Sequence, residues 1–156
     1  MRSALYTSPD QTSELGVRLG LEATAGTVIA LVGDLGVGKT LLAKGVGRGL
    51  ATPSLVTSPT FVLMMLHEGG RLPLIHADLY RLCDEDEAEL VGLPEALSSD
   101  AVSLVEWADL MPALLPDDHL RITLRWLSGR PQEREVELWA TGPRHAALEA
   151  LILAPV

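Results

Sequence analysis

The sequence predicts an α/β fold, with a mostly parallel sheet that has an antiparallel portion and is flanked by helices. Short apolar runs, typical of strands buried on both faces, alternate with segments whose apolar residues recur at helical spacing. Near the carboxyl end, two segments alternate apolar and polar residues, as half-buried antiparallel strands do. The 156 residues, 47% of them hydrophobic, suit a single domain spanning residues 1–156.

The first predicted helix begins in the stretch SPDQ, residues 8–11. Ser8 can cap the helix, Pro9 suits its first position, and Gln11 can reach back to the cap. Apolar residues then follow at helical spacing, namely Leu15, Leu19 and Ala23.

A strand, a helix and a hairpin are predicted next. The run TVIALVG, residues 27–33, is apolar and β-branched, so it predicts a buried strand. A helix is expected from Lys39 to about Leu50. Residues 57–67 and 71–80 flank the turn sequence EGG and predict two strands of a hairpin.

The second half continues the alternation. Residues 84–97 are acidic and predicted to be helical, and AVSLVEW, residues 101–107, predicts another buried strand. The alternating segments 119–127 and 133–140 predict a hairpin joined by SGRPQ. The stretch GPRHAALEALIL closes the chain as a helix.

The net charge of −9 is concentrated in one segment. Residues 78–118 hold one arginine and twelve acidic residues, a net charge of −11, whereas each flanking part is close to neutral. A broad nucleic-acid interface needs a basic surface, so little or no direct nucleic-acid contact is expected. The acidic segment is either a solvated helix face or a surface for a basic partner protein.

Cysteine content and hydropathy indicate a cytoplasmic setting. Cys83 is the one cysteine, which excludes an internal disulfide and fits a reducing compartment. No segment has the ~20 consecutive apolar residues of a membrane helix, and the amino terminus lacks the apolar core of a secretion signal. No membrane association is therefore expected.

A phosphate-binding loop follows the first buried strand. Gly33, four residues and then Gly38-Lys39-Thr40 match the pattern G-x-x-x-x-G-K-[ST]. Glycines let main-chain N–H groups approach phosphates, and the following helix presents its positive end to the anion. Lys39 is expected on the β- and γ-phosphates and Thr40 on magnesium. The sequence thus predicts a P-loop NTPase-like three-layer fold.

Two acidic residues are candidates for the second half of a magnesium site. Asp78 ends the run LPLIHAD and Glu106 ends AVSLVE, so both are expected at carboxyl ends of strands, where open α/β sheets bind ligands. Either acid suits the metal or its water shell. Which of them contacts the metal directly stays open at this stage.

The class of nucleotide enzyme has two main alternatives. A guanine-reading Asn/Thr-Lys-x-Asp motif is absent, because Lys39 and Lys44 are the only lysines and neither fits it, so ATP is favoured. A small-molecule kinase of this size should carry a lid arginine. Arg130 and Arg134 could imitate one, but they are predicted to be solvated arginines of a hairpin turn. A module that binds nucleotide without hydrolysis is a third possibility.

Four motifs in register resemble the TsaE (YjeE) family of small bacterial ATPases. They are GDLGVGKT at 33–40, TSPTF at 57–61, HADLYRL at 76–82 and VEW at 105–107. The resemblance covers nearly the whole chain, including the opening SPDQTSELG and the closing GPRHAALEAL. That family serves the synthesis of threonylcarbamoyladenosine, the modified adenosine next to the anticodon of tRNA.

The resemblance implies a role for each matched position. Lys39, Asp78 and Glu106 are implied in catalysis, and Thr40, Glu106 and Asp78 in holding Mg²⁺. Thr60 lies in a segment that resembles the family's switch-like loop, while Thr12 is implied near the adenine. The residues implied in binding ATP are Thr12, Gly33, Asp34, Leu35, Gly36, Val37, Gly38, Lys39, Thr40, Leu41, Thr60 and Trp107.

The resemblance also implies partners. In the family, the ATPase docks on the complex of TsaB and TsaD, and hydrolysis resets that complex between cycles. The ATPase does not itself transfer the threonylcarbamoyl group. Slow turnover alone and faster turnover with the partner are therefore expected, because the sequence identifies no arginine finger.

Overall fold

The computed structural model describes residues 2–57 and 62–153 of the chain. Its strands are β1 (Arg2–Tyr6), β2 (Val28–Val32), β3 (Met64–His67), β4 (Leu74–Asp78), β5 (Val102–Glu106), β6 (Leu120–Leu127) and β7 (Arg130–Ala140). Its α-helices are α1 (Pro9–Glu22), α2 (Lys39–Gly49), α3 (Glu85–Leu90), α4 (Leu93–Leu97) and α5 (Pro143–Leu153). None of these helices is long and apolar enough to cross a membrane.

The strands form one sheet in the order β1-β7-β6-β2-β5-β4-β3. Strand β2 pairs in parallel with β5 and β6, and β4 pairs in parallel with β5. The outer pairs β1–β7, β6–β7 and β3–β4 are antiparallel. The predicted parallel sheet with an antiparallel portion is therefore confirmed.

Two hydrophobic clusters cover the two faces of this sheet, which gives the predicted three layers. Side chains of β2 alternate between them: Ile29 and Leu31 pack under α1, α2 and α5, whereas Val28 and Ala30 pack under α3 and α4. This alternation explains why β2 is apolar along its whole length. Helix α2, which follows the phosphate loop directly, packs on the face that Ile29 and Leu31 share.

The start of α1 follows its sequence signals. Ser8 is the N-cap and its Oγ accepts from the backbone N–H of Gln11 at 3.4 Å, while Pro9 occupies the first turn. The Gln11 side chain reaches back and accepts from the backbone N–H of Thr7 at 2.6 Å.

Three local predictions needed correction. The acidic segment 84–97 forms two short helices rather than one, because Gly92 adopts a left-handed conformation (φ 76°) between them. In the first hairpin, β3 begins at Met64 and not at residue 57, and residues 58–61 lie outside the described part. The turn SGRPQ is shorter than predicted, because β7 already begins at Arg130.

Strand β1 was not predicted from the sequence. It pairs antiparallel with β7, with Ala4 opposite Val136 and Tyr6 opposite Arg134. The segment RSALY is short and mostly exposed. It is held as a strand by hydrogen bonds to β7, and β7 lies about 130 residues further along the chain.

Helices α1 and α2 meet at two pairs of glycines, Gly16 with Gly45 and Gly20 with Gly49. A Cβ built on Gly16 would lie 2.9 Å from the Gly45 Cα, and one on Gly20 would lie 2.8 Å from the Gly49 Cα. In each helix the two glycines are four residues apart and therefore lie on one face. The backbones of the two helices thus touch directly.

A buried histidine ties α5 to the start of β2. His145 Nε2 accepts from the backbone N–H of Val28 at 2.9 Å, and Nδ1 contacts Asp118 Oδ1 at 2.6 Å. Because Nε2 accepts, Nδ1 must carry the proton and donate it to Asp118. Burial lowers the pKa of His145, although Asp118 opposes this shift. The fold therefore requires the neutral imidazole.

We expect Gly45→Ala to destabilise the protein. Helix propensity alone would favour alanine by about 1 kcal/mol, but the new methyl group would collide with the backbone of α1. Overpacking of this kind costs roughly 1–3 kcal/mol, so the free energy of unfolding should fall in urea titrations. Lys44→Ala is the control, because it places alanine at the neighbouring position of the same helix without adding a group at the contact with α1. An equal or larger loss in the control would contradict the explanation.

We expect acid to weaken the fold through His145. As the pH falls through about 6.5, the ordinary histidine pKa, the unfolded chain takes up a proton that the folded chain, with its lowered pKa, does not. This contribution to stability is therefore present above pH ~6.5 and lost below it. Urea unfolding of the wild type and His145→Gln at pH 8 and 5.5 measures it. A stability difference between them that is the same at both pH values would refute this assignment.

Candidate functional site

A cleft lies at the carboxyl edge of the central strands, where the chain leaves β2, β4 and β5. In the parallel ladders Glu106 is opposite both Leu31 and Asp78. The ends of all three strands therefore meet at one place. Residues 33–38 connect β2 to α2 there, so the phosphate loop and both candidate acids border the same cleft.

Two glycines give the phosphate loop its shape. Gly33 has φ 149°, and a Cβ on it would lie 2.6 Å from the Leu124 carbonyl oxygen of β6. Gly38 is the N-cap of α2 with φ 122°, a conformation that L side chains rarely adopt. The loop thus turns sharply into α2, whose first N–H groups and positive dipole end are directed at the cleft.

Lys39 is held inside this loop. Its Nζ donates to the carbonyl oxygens of Gly33 at 2.6 Å and Asp34 at 2.8 Å, and it lies 3.9 Å from the centre of the Trp107 ring. Only 4% of the residue is exposed. Burial lowers the pKa of Lys39, while the nearby carboxylates of Glu106 and Asp78 act to raise it.

Glu106 is a buried carboxylate, with 3% exposure, at the floor of the cleft. The Thr40 hydroxyl donates to its two oxygens at 3.2 and 3.3 Å, and His76 Nε2 lies 2.8 Å from Oε1. A buried carboxylate without such donors would be costly. Thr40 and Glu106 therefore present hard oxygen donors side by side, the ligand type that Mg²⁺ prefers.

Asp78 and Trp107 complete the rim of the cleft. Asp78 Oδ1 accepts from the backbone N–H of Tyr80 at 2.9 Å, and the Tyr80 and Trp107 rings lie 4.7 Å apart between centres. Trp107 has φ 57°, a left-handed conformation that is uncommon for a bulky residue. This turn ends β5 one residue earlier than predicted and aims the indole at Lys39.

Most of the residues expected to bind nucleotide are brought together. The cleft measures about 500 Å³ and is lined by Leu35, Gly36, Gly38, Lys39, Thr40, Leu41, Asp78, Tyr80, Arg81, Glu106 and Trp107. Gly33, Asp34 and Val37 belong to the same loop but do not line this cleft. The donor set of N–H groups, one ammonium and oxygen ligands suits a nucleotide phosphate with its magnesium.

Of the two remaining expected contacts, Thr12 and Thr60, the structure describes only Thr12. Thr12 is 1% exposed, with its methyl group behind Gly38, so it is a buried neighbour of the phosphate loop and not a surface residue of α1. Its hydroxyl has no hydrogen-bond partner in the described part of the chain. Thr60, together with Ser58 and Pro59, lies outside the described residues.

Arg134 corrects one prediction. Arg130 is solvent-exposed and pairs with Glu133 at 3.1 Å, as expected for a turn arginine. Arg134 is instead buried: it stacks 3.5 Å over the Trp126 ring, and its Nε donates to the Val37 carbonyl at 2.7 Å. It therefore braces the phosphate loop from β7, and its position opposite Tyr6 shows that no lid carries it.

Two further residues at the site were not assigned a role from the sequence. Arg81 lines the cleft as a second cation beside Lys39, and the only available signal was its place in the stretch DLYR. His76 contacts Glu106 from β4. The sequence placed it inside a predicted strand, between Ile75 and Ala77, but named no partner for it.

A second cleft, of about 620 Å³, lies on the other side of the phosphate loop. It is bordered by Gly33, Asp34 and Trp107 and floored by the outer face of β6 and β7, including Arg121 and Trp139. Arg125 also lines it but is paired with Glu137 at 2.7 Å.

Comparison with known proteins points to one family. The profile of the family described as "Threonylcarbamoyl adenosine biosynthesis protein TsaE" matches residues 6–136. The chain is 39% identical over 141 residues to the tRNA threonylcarbamoyladenosine biosynthesis protein TsaE of Bacillus subtilis, covering 90% of this chain and 87% of that protein. The Streptomyces coelicolor protein of the same name is 40% identical over 146 residues, covering 90% and 98%.

The fold agrees with this result. The crystal structure of Bacillus subtilis YdiB superposes with a TM-score of 0.82 at 33% identity, covering 96% of this chain and 93% of that one. The resemblance seen in the four sequence motifs is thereby confirmed. This chain belongs to the TsaE family.

Proposed function

We propose that the protein is a Mg²⁺-dependent ATPase that supports biosynthesis of threonylcarbamoyladenosine in tRNA. One observation carries the proposal: Lys39 and Thr40, at the amino end of α2, face the buried carboxylate of Glu106 across one cleft. The names of its relatives supply the pathway.

Each residue has a proposed task. The N–H groups of the phosphate loop and Lys39 bind the β- and γ-phosphates of ATP. Thr40 and Glu106 would hold Mg²⁺, with Asp78 on the metal or its water shell, and the bound metal would supply neutralisation of charge on the phosphates. Glu106 and Asp78 also orient the attacking water. Trp107 would border the bound nucleotide, whereas Thr12, buried behind Gly38, would support the phosphate loop.

Partner proteins are proposed to speed this reaction. The cleft is open, and the apolar side chains of Leu35 and Tyr80 at its mouth are 75% and 56% exposed. Exposed apolar groups beside a reactive site suit a protein interface. The proposed partner is the TsaB–TsaD complex, on which ATP binding favours docking and hydrolysis favours release. The chain would not itself transfer the threonylcarbamoyl group.

The segment around Thr60 is proposed to act as the sensor of the nucleotide state. It follows Val56, which packs in the core under α2, and precedes β3. A γ-phosphate bound at Lys39 would order this segment, and its loss would release it. The net charge of −9 argues for little or no direct contact with tRNA. A cytoplasmic location would suit this role.

A small-molecule kinase is the alternative. The second cleft beside Gly33 favours it, because it opens next to the phosphate loop and the Trp139 ring there could pack against a planar acceptor. The products of the reaction separate the two activities: an ATPase releases free phosphate, whereas a kinase transfers it to the acceptor.

We expect phosphate release from ATP and Mg²⁺ to be slow with the protein alone and at least tenfold faster with purified TsaB and TsaD. The partner is expected to supply charge stabilisation that the open cleft lacks. Turnover that is unchanged by the pair, together with no binding to it, would refute the proposal and favour a screen for acceptors.

We expect Lys39→Ala to weaken binding of Mg·ATP roughly ten- to a hundredfold, because a charge-assisted hydrogen bond contributes about 1.5–3 kcal/mol. Fluorescence titration with a labelled ATP measures the effect. Lys44→Ala is the matched control, since Lys44 lies on the same helix and does not line this cleft. The assignment fails if both variants bind like the wild type or if both lose binding equally.

A further inference from the structure

His76 lies on β4 beside the floor of the cleft. It is fully buried, and its Nε2 is 2.8 Å from Glu106 Oε1. Asp78 is directly opposite Glu106 in the ladder, so His76, two residues earlier, is the diagonal neighbour on the same face of the sheet. The contact therefore follows from the register of β4 and β5.

The two partners of Glu106 differ in how closely they hold it. The Thr40 hydroxyl lies 3.2 and 3.3 Å from the carboxylate oxygens, whereas His76 is 2.8 Å from one of them. In the proposed function Thr40 also serves the metal, so its bond to Glu106 is exchangeable. His76 does not itself line the cleft, so it can keep Glu106 in place throughout.

The proton of the His76 ring can be assigned from its surroundings. Its Nδ1 has no hydrogen-bond partner in the described part of the chain. Another buried imidazole, that of His67, lies on the neighbouring strand β3, where Ser54 Oγ contacts its Nδ1 at 2.8 Å. A carboxylate only accepts, so the Nε2 of His76 must carry the proton and donate it to Glu106.

We propose that His76 is a positioning residue, whose Nε2–H fixes the orientation of the Glu106 carboxylate toward Thr40. The expected effect of this role on the rate of ATP hydrolysis rests on the proposed ATPase function. Residues that hydrogen-bond to a metal ligand orient that ligand, and their loss typically lowers metal affinity or activity about 10- to 100-fold.

The kinetic test compares three variants in the presence of TsaB and TsaD. His76→Phe keeps a ring of similar size but removes the donor, so kcat should fall about 10- to 100-fold while KM for ATP stays near the wild-type value. His76→Gln restores an N–H donor at a similar reach and should recover much of kcat. His67→Phe is the matched control, because it makes the same change in a buried histidine that does not contact Glu106.

Equal losses in His76→Phe and His67→Phe, or no recovery in His76→Gln, would overturn the proposal, because packing alone would then explain the effect. A parallel measurement needs neither nucleotide nor metal. In the isolated protein, ¹⁵N NMR of the imidazole should show the Nε2–H tautomer of His76.

The NMR measurement also separates the two proposals. If the wild type releases no phosphate even with its partners, the ATPase function fails, and the tautomer decides whether His76 holds Glu106. The Nδ1–H form would overturn the positioning role, because Nε2 would then have no proton to donate. The Nε2–H form would support it.

Discussion

The buried carboxylate of Glu106 is the constraint on which the arrangement of the cleft depends. A charge at 3% exposure is tolerated only if donors surround it. Those donors come from α2 through Thr40 and from β4 through His76. Both can reach it because β5 lies between β2 and β4 with parallel pairing on each side. The strand order of the sheet therefore brings both donors within reach of the Glu106 side chain.

The direct contact between α1 and α2 extends this constraint to the phosphate loop. Gly16 and Gly45 let the two backbones touch, which fixes how far α2 can shift along α1. Thr12, one turn before Gly16 in α1, then packs behind Gly38, and Arg134 holds the Val37 carbonyl from β7. The loop is therefore held from both sides, so its N–H groups are preorganised for an anion and lose little entropy when one binds.

Sequence patterns predicted the features that depend on local chemistry. Each of these predictions rests on a pattern of only a few consecutive residues. The patterns are the apolar run of β2, the cap at Ser8 and the motif ending at Lys39-Thr40. The missed features depend on partners that are distant in the chain. Strand β1 forms by pairing with the edge of β7. Arg134 is buried because it stacks on Trp126 and donates a hydrogen bond to the phosphate loop. Glycines in α1 and α2 look like weak helix formers until the two helices are seen together.

The electrostatics of the cleft explain why a divalent cation belongs to the proposed reaction. Four carboxylates act to raise the pKa of Lys39, namely those of Glu106, Asp78, Asp109 and Asp34. Burial outweighs them, so the pKa of Lys39 is lowered. The two cations that line the cleft, Lys39 and Arg81, are outnumbered by these acids and cannot by themselves balance the charge of a nucleotide phosphate. A ligand that arrives with its own cation meets a favourable field, whereas the bare anion does not. In the proposed function, these acids would favour the metal complex of the nucleotide over the bare anion, and Glu106 would be placed to receive the metal.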